Sequence, residues 1–209
     1  MLLSHPHADH LNGLVDVFEN YSVRHFATED LVNTSDGYEA LRDSVTKAKL
    51  SWQTLLDGDK YQTGDGVSLF VVGPTQSYID QTAVGGKYIT SSEFASLEVL
   101  VSYKEFNLLL TGDSQYQEME ETLRLHSAQV SLISVLQAPH HGSRTGITPE
   151  IIAALRPQLA TISVGAHNTY GHPAPSTLSI LQKAGVKISR TDRDGDLRLV
   201  TDGESYNLK

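Results

Sequence analysis

The chain of 209 residues contains no cysteine. Disulfides and thiolate metal sites are thereby ruled out, so any bound metal must rest on His, Asp or Glu. No apolar run approaches the roughly 18–20 residues that span a bilayer. The opening Met1-Leu2-Leu3 passes directly into polar sequence rather than a signal-peptide pattern. No basic patch stands out against a formal charge of −9, which argues against a tightly held nucleic acid. Two divalent cations would cancel about four of those charges locally, so a phosphate remains an admissible ligand even on an acidic protein. Repeats, low-complexity tracts and linkers rich in Pro, Gly and Ser are also lacking, and the expectation is one domain over residues 1–209.

What is present is an alternation of apolar strands and amphipathic helices. Helices are expected over 11–21, 35–49 (with Ser35 as N-cap), 115–125, 149–155 and 176–184, the last closed by Gly185. Strands are expected over 23–27, 67–72, 97–103, 107–111, 133–137, 160–164, 186–189, 196–200 and 205–208. Residues 73–93 show no period and read as a long loop. The order implies an α/β protein (α+β in some schemes) whose sheets are covered by helices.

Histidines gather where these strands end. His5-Pro-His7-Ala-Asp9-His10 puts three imidazoles and a carboxylate within six residues, which cannot all be buried cheaply without partners. In an extended segment His5 and His7 point the same way and can share one ion, while Asp9 and His10 can aim at a second. Imidazole with carboxylate and no thiolate suits zinc, manganese or iron. The apolar strand Leu108-Leu-Leu-Thr-Gly-Asp113 delivers a carboxylate at its C-terminal end, either to bridge two cations or to cap the next helix. Ala138-Pro-His140-His141-Gly-Ser143-Arg144 and Asn168-Thr-Tyr170-Gly-His172-Pro173 follow two further strands. Six of the nine histidines fall in these segments, and His25, His126 and His167 read as ordinary positions.

The ordered set resembles the metallo-β-lactamase superfamily, and within it the ComEC-like hydrolases related to the DNA-uptake channel protein. The resemblance runs over nearly the whole chain and also takes in Arg190-Thr-Asp192. It implies a four-layer αββα sandwich with two divalent metal ions, zinc or alternatively manganese, at one edge between the sheets. It further implies strands ahead of the first motif, so the fold is expected here without its N-terminal strands. By the same resemblance His5 and His7 hold one ion with a later histidine, His140 being favoured over His141. Asp9 and His10 hold the other with His172, and Asp113 bridges. The superfamily's usual histidine between the first motif and Asp113 is missing; Ser91 to Ser96 stand in roughly that stretch.

The chemistry implied is hydrolysis by a metal-activated hydroxide oriented by Asp113 and Asp9. His141 or Tyr170 would hydrogen-bond the developing oxyanion or the leaving group. Ser143 and Arg144 are candidates for a phosphate contact, or else a capped turn with a solvated Arg. A phosphodiesterase or nuclease activity on a small phosphodiester or nucleic acid is the first expectation. The alternatives are a hydrolase of a small ester or a cell-surface phosphodiester such as a phosphocholine ester, and a non-catalytic metal-stabilised module of a larger DNA-uptake or surface protein. The resemblance favours an extracytoplasmic location at the bacterial surface.

Overall fold

Strand β1 (Leu2–Leu3) carries Leu3 into the interior and ends at Ser4, where the chain turns into helix α1 (Ala8–Asn20). The helix starts earlier than the apolar periodicity suggests, because the His7 carbonyl accepts both the His10 and Leu11 amides at 3.0 Å. Asp9 then occupies the first turn, where the helix dipole favours an acid. The computed structural model describes residues 1–29, 31–84, 87–88 and 95–209. Strand β2 (Ala27–Thr28), helix α2 (Asp36–Lys47) and strand β3 (Gln53–Thr54) follow. Ser35 caps α2 by accepting the Tyr38 amide, as its sequence position predicts. Strands β1, β2 and β3 pair in parallel in that order, and the strand expected at 23–27 forms only at its last residue.

Strands β4 (Lys60–Gln62) and β5 (Ser68–Gly73) form an antiparallel pair. Within the expected loop at 73–93, residues Gln76–Thr82 form helix α3, and Ala83–Val84 and Lys87–Tyr88 pair as β6 and β7. Thr75 starts α3 by accepting the Tyr78 amide on its hydroxyl, a cap signal ahead of a helix whose only apolar residues are Tyr78 and Ile79. Residues 85–86 and 89–94, which include Ser91 to Phe94, lie outside the described residues.

Strands β8 (Glu98–Tyr103) and β9 (Phe106–Leu110) form the expected hairpin, and helix α4 (Tyr116–His126) follows. Strand β10 (Val135–Gln137), helix α5 (Pro149–Leu155), strand β11 (Leu159–Ile162), helix α6 (Pro175–Lys183) and strand β12 (Lys187–Arg190) continue the alternation. A short helix α7 (Thr191–Asp194) and the hairpin of β13 (Leu199–Thr201) and β14 (Tyr206–Leu208) complete the described elements. The larger sheet runs β12-β11-β10-β9-β8-β5-β4, parallel from β9 to β12 and antiparallel from β9 to β4.

The period of two along the strands divides the core into layers. Leu100 and Leu109 face α4, α5 and α6, packing with Met119, Ile151, Leu155 and Leu181. Val99, Val101 and Leu110 point the other way and meet Ala27 and Leu55 of the smaller sheet side. That smaller sheet buries Leu3 and Phe26 against Leu11, Tyr38 and Leu41 of α1 and α2. The order helix, sheet, sheet, helix is the four-layer sandwich. Among the described residues no helix is long and apolar enough to cross a membrane.

Candidate metal centre

Three chain segments converge at one edge of the sandwich, beyond the C-terminal ends of β1, β9 and β10. The turn from β1 into α1 brings His5, Asp9 and His10. The turn after β9 brings Asp113, and a tight turn over His140–Gly142 after β10 brings two histidines. Backbone bonds stitch these turns together. The His140 amide donates to the Gly112 carbonyl at 3.0 Å, and the Thr111 hydroxyl donates to the Gln137 carbonyl at 2.8 Å. Gly112 has φ +52, and a Cβ there would run into the Ser96 hydroxyl and lie 2.8 Å from Ser4 Cβ. His140 and His141 themselves adopt left-handed backbone at φ 48 and 53, a conformation unfavourable for residues with a Cβ.

Asp113 is the hub. Its Oδ1 lies 3.3 Å from His10 Nε2, and its Oδ2 lies 3.8 Å from His5 Nε2, 3.7 Å from His140 Nε2 and 3.6 Å from His141 Nε2. Asp9 Oδ2 lies 3.2 Å from His141 Nε2 and 3.7 Å from His10 Nε2. Among the described residues two compact donor sets result: His5, His10 and Asp113, and Asp9, His10 and His141. His7 packs edge-on to His5, with centroids 4.6 Å apart, and belongs to neither set. His172 stands against His140 at 5.5 Å between centroids, and the exposed Tyr170 stacks on His172 at 6.1 Å and 17°.

These residues fit a cation. His5 Nε2, His10 Nε2 and Asp113 Oδ1 are buried without a hydrogen-bond partner, an arrangement that is unfavourable unless something positive lies between them. Ligands about 2.1 Å from a tetrahedral ion stand about 3.4 Å apart, and the donor separations of 3.2–3.8 Å bracket that value. The far side of the His141 ring is held as a metal-binding histidine requires. His141 Nδ1 donates to the Ser163 carbonyl at 2.8 Å, which leaves Nε2 bare toward Asp9. His140 Nδ1 meets the Gln115 side chain at 2.8 Å.

Electrostatics follow the geometry. Burial, reinforced by the His10 charge, holds His5 down at about 2, so it is neutral at any working pH. Burial opposes ionisation of Asp113, yet the His10 imidazole 3.3 Å away outweighs it and holds the carboxyl at about 2. Burial likewise works against the His10 cation, and the proximity of the Asp113 carboxylate overrides it and raises His10. Burial and the neighbouring His140 lower His172.

Two of the supporting groups, Gln115 and Ser163, have no motif to announce them, and a third, Thr191, lies within the Arg-Thr-Asp motif. Gln115 lies on the approach to α4, and Ser163 acts through its carbonyl. Thr191 pins the end of β11 by accepting the Val164 amide at 2.8 Å and donating to the Val164 carbonyl at 2.9 Å. Arg190 of the Arg-Thr-Asp motif grips Asp192 with both arms of its guanidinium, at 2.9 and 2.5 Å. His126 bonds Asp57 and packs edge-on to Phe70, and belongs to neither donor set.

No family model matches the chain. Its sequence is 23% identical over 198 residues to ComE operon protein 3 of Bacillus subtilis, covering 95% of this chain and 24% of that protein. It is 32% identical over 91 residues to competence protein ComA of Neisseria gonorrhoeae, covering 44% of this chain and 13% of that protein. The chain thus spans about a quarter or less of the curated relatives it matches. Among solved structures, Tm1679, a metal-dependent hydrolase of the β-lactamase superfamily, superposes with TM-score 0.53 at 13% identity over 90% of this chain and 75% of that one. CmlA, a diiron β-hydroxylase from Streptomyces venezuelae, does so with the same score and identity over 90% of this chain and 42% of that one. The chain has the metallo-β-lactamase fold, and its sequence is similar to that of bacterial competence proteins.

Proposed function

We propose that this chain is a metal-dependent hydrolase of the ComEC-like kind, with two divalent cations, zinc first among the candidates, that cleaves a phosphodiester. The observation that carries the reading is the convergence of buried, partnerless atoms from two separate turns, His5 Nε2 and His10 Nε2 from one and Asp113 Oδ1 from the other, on one point. The cations would supply a low-pKa water and a counter-charge for the substrate oxygen. His5, His7, Asp9, His10, Asp113, His140 and His172 remain the proposed ligand residues. The 3.2 Å approach of His141 to Asp9 adds His141 to the set around the second ion. Asp113 would orient the nucleophilic water, and Asp9 would share in holding it. Tyr170, exposed and stacked on His172, stands where it can meet a leaving group. Similarity to competence proteins supports a substrate in DNA uptake and a place at the bacterial surface. The formal charge of −9 supports a small phosphodiester or a loosely held strand over a tightly bound polymer.

The test pairs metal analysis by plasma mass spectrometry, on protein purified without a His-tag, with hydrolysis of bis-p-nitrophenyl phosphate. About two equivalents of metal and turnover abolished by chelator are expected. Metal-free protein that cannot be loaded with zinc or manganese would refute the centre. A loaded protein inert to phosphodiesters and active on a carboxylic ester would move the substrate class to esters.

A further inference from the structure

Ser96 is fully buried at the start of β8. Its Oγ accepts the Asp113 amide at 3.0 Å and stands 3.4 Å from His5 Nδ1, a residue 91 positions away. The residue is itself fixed from three sides. Its amide donates to Glu118 Oε2 at 3.2 Å, the next amide, of Leu97, donates to the Ser4 carbonyl at 2.8 Å, and Gly112 leaves the only space in which its hydroxyl fits. Ser4 Oγ completes the arrangement at 3.2 Å from His5 Nδ1 and 3.3 Å from His10 Nδ1.

We propose that Ser96 is a positioning residue: one hydroxyl oxygen accepts both the Asp113 amide and the His5 Nδ1–H, and so locks the Asp113 turn and the His5 ring to each other with His5 Nε2 bare toward the centre. An imidazole that is neutral carries one N–H, and the hydrogen bond on one nitrogen decides which. His5 Nε2 has no hydrogen-bond partner, so an N–H there would be buried without an acceptor. An N–H on Nδ1 finds the Ser96 and Ser4 oxygens instead. Ser96 Oγ already accepts the Asp113 amide, and a second lone pair remains for this bond. The serine hydroxyl thus does from behind what a carboxylate or carbonyl does for other metal-binding histidines.

The experiment compares Ser96→Thr with Ser96→Val, two side chains of the same shape that differ by the hydroxyl, with Ser96→Ala alongside. Ser134→Ala, a buried serine that bonds Asn107 elsewhere in the larger sheet, serves as the folding control. The first readout is the His5 tautomer in metal-free protein by long-range proton–nitrogen NMR. Because Ser4 Oγ could accept the same N–H, the tautomer is read in a Ser4→Ala background, where the parent, Ser96→Thr and Ser134→Ala are expected in the Nδ1–H form while Ser96→Val and Ser96→Ala, left without an acceptor at Nδ1, give a mixture. The second is zinc affinity by competition with a chelating dye, expected to fall about 10–100-fold in Val and Ala and to be retained in Thr. The zinc arm rests on the proposed metal centre, and the tautomer arm does not. Protein that binds no zinc in any form refutes the centre and leaves the tautomer to decide on Ser96. A parent His5 in the Nε2–H form, or Val and Thr variants with the same tautomer in that background, overturns the proposal.

Discussion

Glu98 interrupts an otherwise apolar strand, and its replacement by glutamine should make the protein more stable only above acid pH. The side chain shares the helix-facing side of β8 with Leu100 and is wholly buried. Thr122 donates to its Oε2 at 2.6 Å, and its Oε1 has no partner. Burial pushes the carboxyl up from 4.5 to about 7, against the opposing bond from Thr122 and with a further push from Glu121. Glu118, also buried, is raised as well, by burial and by the charge of Glu98. Because the folded protein holds this proton more tightly than the unfolded chain, the stability it contributes is complete below pH 4.5. That contribution is lost progressively as pH rises to about 7. Each unit in that interval corresponds to about 1.4 kcal/mol, so ionising Glu98 in the fold costs about 3 kcal/mol. Glutamine keeps the shape and the acceptor for Thr122 and carries no charge. Urea unfolding of wild type and Glu98→Gln, with chelator present throughout, isolates the effect as a difference. The advantage of Glu98→Gln should grow by about 2–3 kcal/mol between pH 5 and pH 8. Relief of the like-charge contact with Glu118 acts in the same direction. A difference that does not change with pH, or that favours the wild type at pH 8, would refute the reasoning.

Asp113→Ala should remove the hub of the centre, lowering turnover more than a hundredfold and weakening metal binding while circular dichroism shows the fold retained; unchanged turnover would remove Asp113 from the proposed chemistry. Gly112→Ala should cost about 1–3 kcal/mol, because the residue sits at φ +52 and its Cβ would meet Ser96 and Ser4. That variant should also lose zinc affinity in parallel, measured by dye competition. Leu136→Ala, at a fully buried position of β10 in the main core, should cost about 2–5 kcal/mol in urea unfolding without altering the stoichiometry of metal bound.

The sequence by itself determined where the candidate ligands cluster and how the main elements alternate. Five of the six clustered histidines and Asp113 follow the ends of β1, β9 and β10 within a few residues, and strand ends can be read from local periodicity. Helix α5 over 149–155, the Ser35 cap and the β8–β9 hairpin were equally legible, because propensity, capping and alternation are short-range properties. Helix α3 was hidden because Tyr78 and Ile79 are its only apolar residues, whereas the equally short α5 carries the Thr148 cap, Pro149 in its first turn and Ile151, Ile152 and Leu155 facing the core. Tertiary structure alone decided which groups face one another. That His141 reaches Asp9, 132 positions away, depends on the register of β10 against β9 and β11. That Ser96 lies behind His5 depends on two sheets stacking with Gly112 between them. That Glu98 is buried in its high-pKa form depends on helix α4 covering one face of β8. Such contacts follow from packing across the sheets and leave no period or spacing in the chain.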